Sequence, residues 1–320
     1  MKHSLAFAVM LACLPALPAL AQEYPTRPVR VIVGFPAGGG SDLIARVFAQ
    51  KLTGALGQTV VVENRPGASA NIAAELAARS APDGYTLLFA NSSLSISPAV
   101  FRKLAYDPVR DFTAISMASS YPFVLAVHPS LPVRSVKELV VLAKSKPGAL
   151  DYASAGPATM SHLAMQLMRL KTGVELSHLA YKGAAPAVVS LMSGETQLAF
   201  MVMPVAATQI KAGKLRGLGV AAPTRSPAVP EVPTMQEAGV AGHEAVQWNG
   251  FFAPARTPQT TLDRLHREVV KAVAAPDVKQ RIEAEGATPV GNSPSEFAAF
   301  FRVEAVKWAD VAKKSGIKLD

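Results

Sequence analysis

The sequence predicts an α/β protein of two units, each a mainly parallel sheet flanked by helices, joined by two crossover segments. Three observations predict it. Strand-like and helix-like segments alternate as β-α-β-α-β from Val29 to Ala90. The alternation restarts at Asp151. Two apolar, extended stretches, 117–128 and 247–255, lie between the units, so the chain leaves the first, builds the second and returns.

The elements follow in order. Residues 29–35 read as the first strand. Ile44, Val47, Phe48 and Leu52 recur at helical spacing, and Gly57 suits the helix end. Residues 59–63 are strand-like, and Asn64-Arg65-Pro66-Gly67 is a turn. A helix over 72–78 closes at Pro82-Asp83-Gly84, and 85–90 is the third strand. In the second unit, 151–154, 176–181, 197–203 and 215–221 read as strands. Helical patterns at 161–171, 185–192 and 206–212 separate them. The proline-rich stretch 223–233 is expected to be a surface loop. Near the C-terminus Leu262, Leu265, Val269, Val270 and Val273 share one helical face. Ser293-Pro294-Ser295-Glu296 matches a capping box with proline at the first helical position. Phe297, Phe300, Phe301 and Trp308 then form a buried face. These aromatics have core spacing, not that of a cofactor box.

Residues 1–21 read as a secretory signal peptide rather than as fold. Lys2 and His3 precede an apolar run, and Ala19-Leu20-Ala21 offers a small-x-small cleavage site before Gln22. Pro15 and Pro18 break the run, which is too short to span a bilayer. Cys13, in Met10-Leu11-Ala12-Cys13, leaves a lipoprotein as the alternative. Cys13 is the sole cysteine of 320 residues, so the mature chain has neither disulfide nor thiol chemistry. A chain of about 300 residues favours two domains: lobe 1 over 22–124 plus 250–320, lobe 2 over 125–249. The net charge of +9 falls to +8 once Lys2 is removed. Export and the scattering of Lys and Arg argue against nucleic acid. A solubilising surface or the steering of small anions remains.

Two strand-to-helix junctions carry the chemistry. Phe35-Pro36-Ala37-Gly38-Gly39-Gly40-Ser41-Asp42 leads from the first strand into a helix. It is neither a Walker A loop nor GxGxxG. Its glycines allow close backbone approach, and helix N-termini offer free N–H donors at a positive dipole end. The plain alternative is a tight turn with Ser41 or Asp42 as cap. Ser154-Ala155-Gly156-Pro157-Ala158-Thr159-Met160-Ser161 repeats the arrangement in the second unit. Two such N-termini across a cleft suit a carboxylate. Catalytic patterns are missing: His128, His162, His178, His243 and His266 form no metal motif, no acidic cluster suggests a metal, and there is no G-x-S-x-G elbow. No enzyme is expected; a secreted hydrolase is the remote alternative.

The segments YPTRPVRVIVGFPAGGGSD, VVVENRPGASANIAAELAARSAPDGYTLLFAN, SAGPATMSHLAMQLM, LAYKGAAPAVVSLMSGETQLAF, IKAGKLRGLGV and VPTMQEAG, in this order, resemble the Bug family. These are the TctC-like substrate-binding proteins of tripartite tricarboxylate transporters. The resemblance covers essentially the whole mature chain. It implies a two-lobed periplasmic-binding-protein (Venus-flytrap) fold with a hinged cleft, a small organic-acid ligand (a di- or tricarboxylate or an aromatic acid), no cofactor and no metal. It further implies delivery to the membrane permease of such a transporter, or docking on a sensor protein. A monomer is the simplest state. Carried over by position, Phe35, Ala37, Gly39, Gly40, Ser41 and Asp42 form one binding loop, and Ser154, Gly156, Thr159 and Ser161 the other. Two departures stand out. Pro157-Ala158 replaces a second glycine, which is expected to narrow the loop or change which N–H groups are free. Met201 stands where relatives commonly carry Asp. Either Met201 leaves the pocket wall apolar and disfavours an amino-acid ammonium, or it merely packs. Trp248, on the return crossover, is expected to sense closure while Trp308 stays silent.

Overall fold

The computed structural model describes residues 24–157, 159–284 and 287–317. The signal segment 1–21, with Cys13 and the cleavage site after Ala21, and Ala158 of the second loop lie outside the described residues.

In the first half β1 (Val29–Val33), α1 (Gly40–Leu56), β2 (Val60–Asn64), α2 (Asn71–Ala78), β3 (Thr86–Asn91) and α3 (Ser93–Val100) follow one another. A 16-residue strand, β4 (Phe112–Val127), leads into α4 (Val136–Ser145) and the second half. There β5 (Asp151–Ser154), α5 (Met160–Thr172), β6 (Ser177–Ala180), α6 (Ala184–Ser193), β7 (Leu198–Val202), α7 (Met203–Lys211) and β8 (Arg216–Val220) alternate. The chain returns through β9 (Val246–Pro254) and ends in α8 (Gln259–Ala274), α9 (Pro276–Ala284), β10 (Thr288–Pro289) and α10 (Pro294–Lys314).

The strands order as β2-β1-β3-β9-β4-β7-β5-β6, with β8 and β10 also paired to β4. The outer triplets are parallel: β1 with β2 and β3, β5 with β6 and β7. The seam is antiparallel, because β9 and β4 run against each other and β7 and β8 run against β4. Each half is therefore a parallel sheet completed by antiparallel crossover strands. Side chains alternate across it with the two-residue period of a strand. Val29, Val31 and Val33 face the cluster under α1, α8 and α9, whereas Ile32 faces the other side with Trp248 and Phe297. In the second half Leu198 and Phe200 face α5, while Ala199 and Met201 face α6 and α7.

β4 joins the halves. Its first part, to Pro122, pairs with β9; from Phe123 onward it pairs with β7 and β8. The register fixes where the parallel strands end. Asn91, at the end of β3, lies opposite Asn249, which lies opposite Ser119. Val202, at the end of β7, lies opposite Phe123. β3 runs parallel to β4 and β7 against it. The carboxyl ends of both parallel triplets thus converge on β4 between Ser119 and Val124. In open α/β sheets that is where ligands bind.

Four elements escape the sequence reading. α3 carries Pro98 and buries Ser93, Leu94, Ser95, Ile96, Ser97 and Val100, so no polar face betrays a helical period. α4 does announce itself: the Ser135 hydroxyl accepts from the Glu138 N–H, and the Glu138 carboxylate reaches back to the Arg134 N–H. α9 and the two-residue β10 are short. The capping box at Ser293 and Glu296 forms as predicted. Phe297 and Phe301 are buried and Phe300 partly so. Trp308 is buried as expected, but among other neighbours than the phenylalanines. The last half of α10 leaves the Trp248 cluster and buries Trp308 with Ile96 of α3 and Leu163 of α5. Its indole N–H donates to Glu304 at 2.7 Å.

Candidate functional site

The first loop joins β1 to α1 at the crevice. Its shape is set by a buried carboxylate. Asp42 Oδ2 accepts from the Gly38 N–H at 2.8 Å and from Arg46 Nε at 2.9 Å, and Oδ1 accepts from Asn64 Nδ2 at 2.9 Å. The same amide donates to the Phe35 carbonyl at 3.0 Å. Burial alone raises the Asp42 pKa, but Arg46, the Gly38 N–H and Asn64 together outweigh it and hold the group below the usual carboxylate range. Asp42 thus builds the loop. The Ser41 hydroxyl donates to Asn249 Oδ1 at 2.9 Å, and Asn249 Nδ2 donates to Ser119 Oγ at 3.2 Å. Ser41 therefore ties the start of α1 to both crossover strands. Neither residue caps the helix: the N-cap is Gly39, with no side-chain cap bond. The first N–H groups of α1 have no acceptor within the helix. Gly39 and Gly40 leave the approach open, Phe35 is half-buried and Ala37 is exposed.

The second loop joins β5 to α5. Ser154 Oγ accepts from the Gly156 N–H at 3.1 Å and meets His178 Nε2 at 2.6 Å. Thr159, the N-cap, donates its hydroxyl to the Gly156 carbonyl at 2.7 Å and lies 3.0 Å from Ser161 Oγ. Ser161 Oγ accepts from the Ala155 N–H at 3.1 Å. Gly156 has φ of +123°, a conformation that favours glycine. These hydroxyls shape the loop, as Asp42 and Ser41 shape the first. At each loop the first N–H groups of the following helix have no acceptor within that helix.

The structure brings further junctions to the same edge. β3 runs through Asn91 and Ser92 into α3. The Asn91 side chain accepts from the Ser93 N–H at 3.0 Å, and Ser92 Oγ donates to Gln247 Oε1 at 2.8 Å. The cap-type run Asn91-Ser92-Ser93 after a strand is the signal that would have found it. β6 reaches α6 through Gly183, at φ of +114°, and β7 passes directly into α7. Met201 does not sit apart as a pocket wall. It is 5% exposed and packs among Ala153, Leu191, Ala199, Met203 and Ala206.

Beneath the second loop three rings stack. Tyr152 lies 4.7 Å from His178, and His178 lies 4.2 Å from His162, centroid to centroid. Burial, then the neighbouring His178 and Arg169, push His162 down to about 3. Burial and Arg169 also lower His178, and burial takes His243 down to about 4. The unfolded chain protonates such imidazoles below about pH 6.5, whereas the fold keeps them neutral. Unfolding then takes up protons, so stability is complete above about pH 6.5 and falls as pH falls toward 3. Melting temperature is expected to drop from pH 7 to pH 5, with a shallower drop in His243→Leu. Identical slopes in the two proteins would contradict this assignment.

Two α/β halves joined by β4 and β9, with helix N-termini gathered at the shared crevice, define a two-lobed solute-binding protein. The comparisons narrow the class. The sequence profile of the tripartite tricarboxylate transporter family receptor (TctC) matches residues 44–317. The chain is 37% identical to the protein BugT of Bordetella pertussis over 306 residues, 95% of this chain and 94% of that one. Among solved structures it is similar to R. palustris Rpa4515 with adipate, at TM-score 0.83 and 34% identity over 92% of this chain and all of that one. It is also similar to MatC from Rhodopseudomonas palustris with bound malate, at TM-score 0.80 and 31% identity over 90% of this chain and all of that one. The chain belongs to the TctC receptor family. This is a family of periplasmic solute-binding receptors rather than enzymes. Among the described residues no helix is long and apolar enough to cross a membrane.

Proposed function

We propose that the protein captures a small organic carboxylate in the crevice between its two halves and delivers it to the membrane permease of a tripartite tricarboxylate transporter. The carrying observation is the convergence of the carboxyl ends of β1, β3, β5 and β7 on one stretch of β4. On this reading the N-termini of α1 and α5, which follow β1 and β5, serve a common space. Several partial positive charges then meet without a fixed cation, which suits an anion that must be released again. Adipate and malate in two similar structures belong to the same ligand class. On this reading Phe35, Ala37, Gly39, Gly40, Ser41 and Asp42 supply or shape one side of the site, and Ser154, Gly156, Thr159 and Ser161 the other. Ligand contacts made to both loops favour a closed form by hinge motion about β4 and β9. The two loops bring no carboxylate side chain free to pair with an ammonium, since Asp42 is engaged by Gly38, Arg46 and Asn64, so organic acids are favoured over aspartate or glutamate. The mature receptor begins at Gln22 after cleavage at Ala21 and acts as a periplasmic monomer.

A thermal-shift series with adipate, malate, citrate, benzoate, aspartate and glutamate tests this reading. Ligand at about 100 times its Kd adds about 2.7 kcal/mol, roughly 5–10 °C for a chain of this size. A shift with one or more organic acids and little with the amino acids is expected. Shifts with aspartate or glutamate alone would refute the assignment of ligand class.

A further inference from the structure

A partly open cavity of about 10 Å³ lies at the carboxyl ends of β1 and β3. Gly34 and Phe35, where β1 passes into the first loop, line it together with Asn91, the last residue of β3. Asn91 lies opposite Asn249, which accepts the Ser41 hydroxyl and lies opposite Ser119 of β4. The register therefore puts the cavity at the edge where the two halves meet, one strand away from the anchor of the first loop.

The walls are mostly carbon. Phe35, Ala70, Ala74, Leu88 and Leu94 line the space. Ala74, Leu88 and Leu94 belong to the apolar cluster that also buries Trp248. The polar neighbours are largely engaged. Tyr106 donates its hydroxyl to Asn71 at 2.6 Å, and the Asn91 side-chain oxygen accepts from the Ser93 N–H. A trapped water typically takes about three hydrogen-bond partners, and this wall offers it few. A space of this size suits one methyl group better. Part of the lining is held under strain. Ser69 and Ala70 sit at φ of 55° and 75°, left-handed values that residues with a Cβ rarely adopt. Such strain gathers at ligand sites.

We propose that this cavity is a specificity subsite of the receptor, taking a methyl-sized, unsubstituted carbon group of the bound acid. The inference rests on the carboxylate reading above and narrows its ligand class. The carboxylate of the acid is held by the loops, and a methyl branch or chain end fills the space beside Phe35. A hydroxyl at that position gives up water for few new partners. An aromatic ring is too large. Alkyl acids are therefore favoured over their hydroxylated counterparts and over benzoate.

Calorimetric titration of the mature protein with three sets of acids tests this. The sets are acetate, propionate and glycolate; succinate, methylsuccinate and malate; and adipate, 3-methyladipate and 3-hydroxyadipate. Each exchanges hydrogen, methyl and hydroxyl at one carbon. One carbon in an apolar pocket discriminates by about tenfold or more. The methyl member of at least one set is expected to bind about tenfold more tightly than the hydrogen member on that scale, with the hydroxyl member weakest. Ala74→Val fills the cavity and is expected to abolish the methyl preference, whereas a merely structural change weakens all members of a set alike. Leu94→Ala enlarges the cavity and is expected to move the preference to the ethyl analogues, butyrate and ethylsuccinate. It adds no atom, so it keeps the test decisive should Ala74→Val fail to fold. A methyl member bound no more tightly than its hydrogen or hydroxyl counterpart in every set would overturn the inference and leave the carboxylate reading in place. So would a methyl preference unchanged in the variants, or binding of other acids with none from these sets. Absence of binding by the wild type to every acid would remove both.

Discussion

Gly34→Ala is expected to weaken the fold and the binding of ligand together. A Cβ at Gly34 would stand 2.3 Å from the Ala70 Cβ and 2.8 Å from its Cα, and backbone cannot swing aside as a side-chain tip can. Ala70 closes a run of three residues with positive φ, Ala68, Ser69 and Ala70 at 46°, 55° and 75°. The run packs against the very start of the first loop. Overpacking of this kind costs about 1–3 kcal/mol, a melting shift of several degrees for a chain this size. The strain is relieved most easily by moving residues 34–39, which breaks the Phe35 carbonyl bond to Asn64 and misaligns the N–H groups of α1. Affinity for the best acid is expected to fall at least tenfold, on the scale of about 1.4 kcal/mol per decade. Gly54→Ala is the control: its Cβ would meet nothing within 4 Å, and alanine is the better helix former by about 1 kcal/mol. Calorimetry and thermal melts on both variants decide the matter. Unchanged binding in Gly34→Ala would show that the first loop is not part of the site.

Asp42→Ala is expected to be the more damaging change. The carboxylate is 1% exposed and holds Gly38, Arg46 and Asn64 at once. Its removal takes the acceptor from the Gly38 N–H and from Arg46 Nε, and leaves Asn64 Nδ2 with the Phe35 carbonyl alone. Arg46 is half exposed, so the loss is that of hydrogen bonds to a charged group, about 1.5–3 kcal/mol. The first loop then loses its closure as well as its anchor, so binding is expected to fall below detection. The wild type carries a matching pH signature. Because Asp42 is held below the usual carboxylate range, its contribution is present above its ordinary pKa of about 3.9. It is lost as pH falls through the lowered value. Denaturant unfolding of Asp42→Ala, set beside the wild type, measures the stability loss. Equal midpoints and slopes would show that Asp42 does not lock the loop.

Local period and turn chemistry made the halves legible in the sequence. β5 is found at the residues predicted, and β1, β2, β3 and β7 within one or two residues at either end, because each is a short apolar run bounded by glycine or helix signals. The two loops were legible as strand-to-helix junctions. Their internal chemistry was not. Asp42 read as a candidate ligand contact or cap; that it locks the loop was hidden, because its partner Asn64 is brought near only by the fold. Ser41 meets Asn249 across 208 positions of sequence, a contact that no local pattern announces. The antiparallel seam was hidden for the same reason, since pairing direction between β9, β4 and β7 is set by tertiary register. α3 was hidden by being buried nearly all round. His162 and His178 lacked a metal motif, and their stacking emerges only when β5, β6 and α5 are assembled.

The most direct measurement is a crystal structure of the mature protein with whichever acid gives the largest thermal shift. The account predicts the carboxylate at the junction of the halves beside β4 residues 119–124. Its oxygens should lie within hydrogen-bond reach of N–H groups at the start of α1 and of the second loop. A ligand bound within one half alone, or away from both loops, would contradict it.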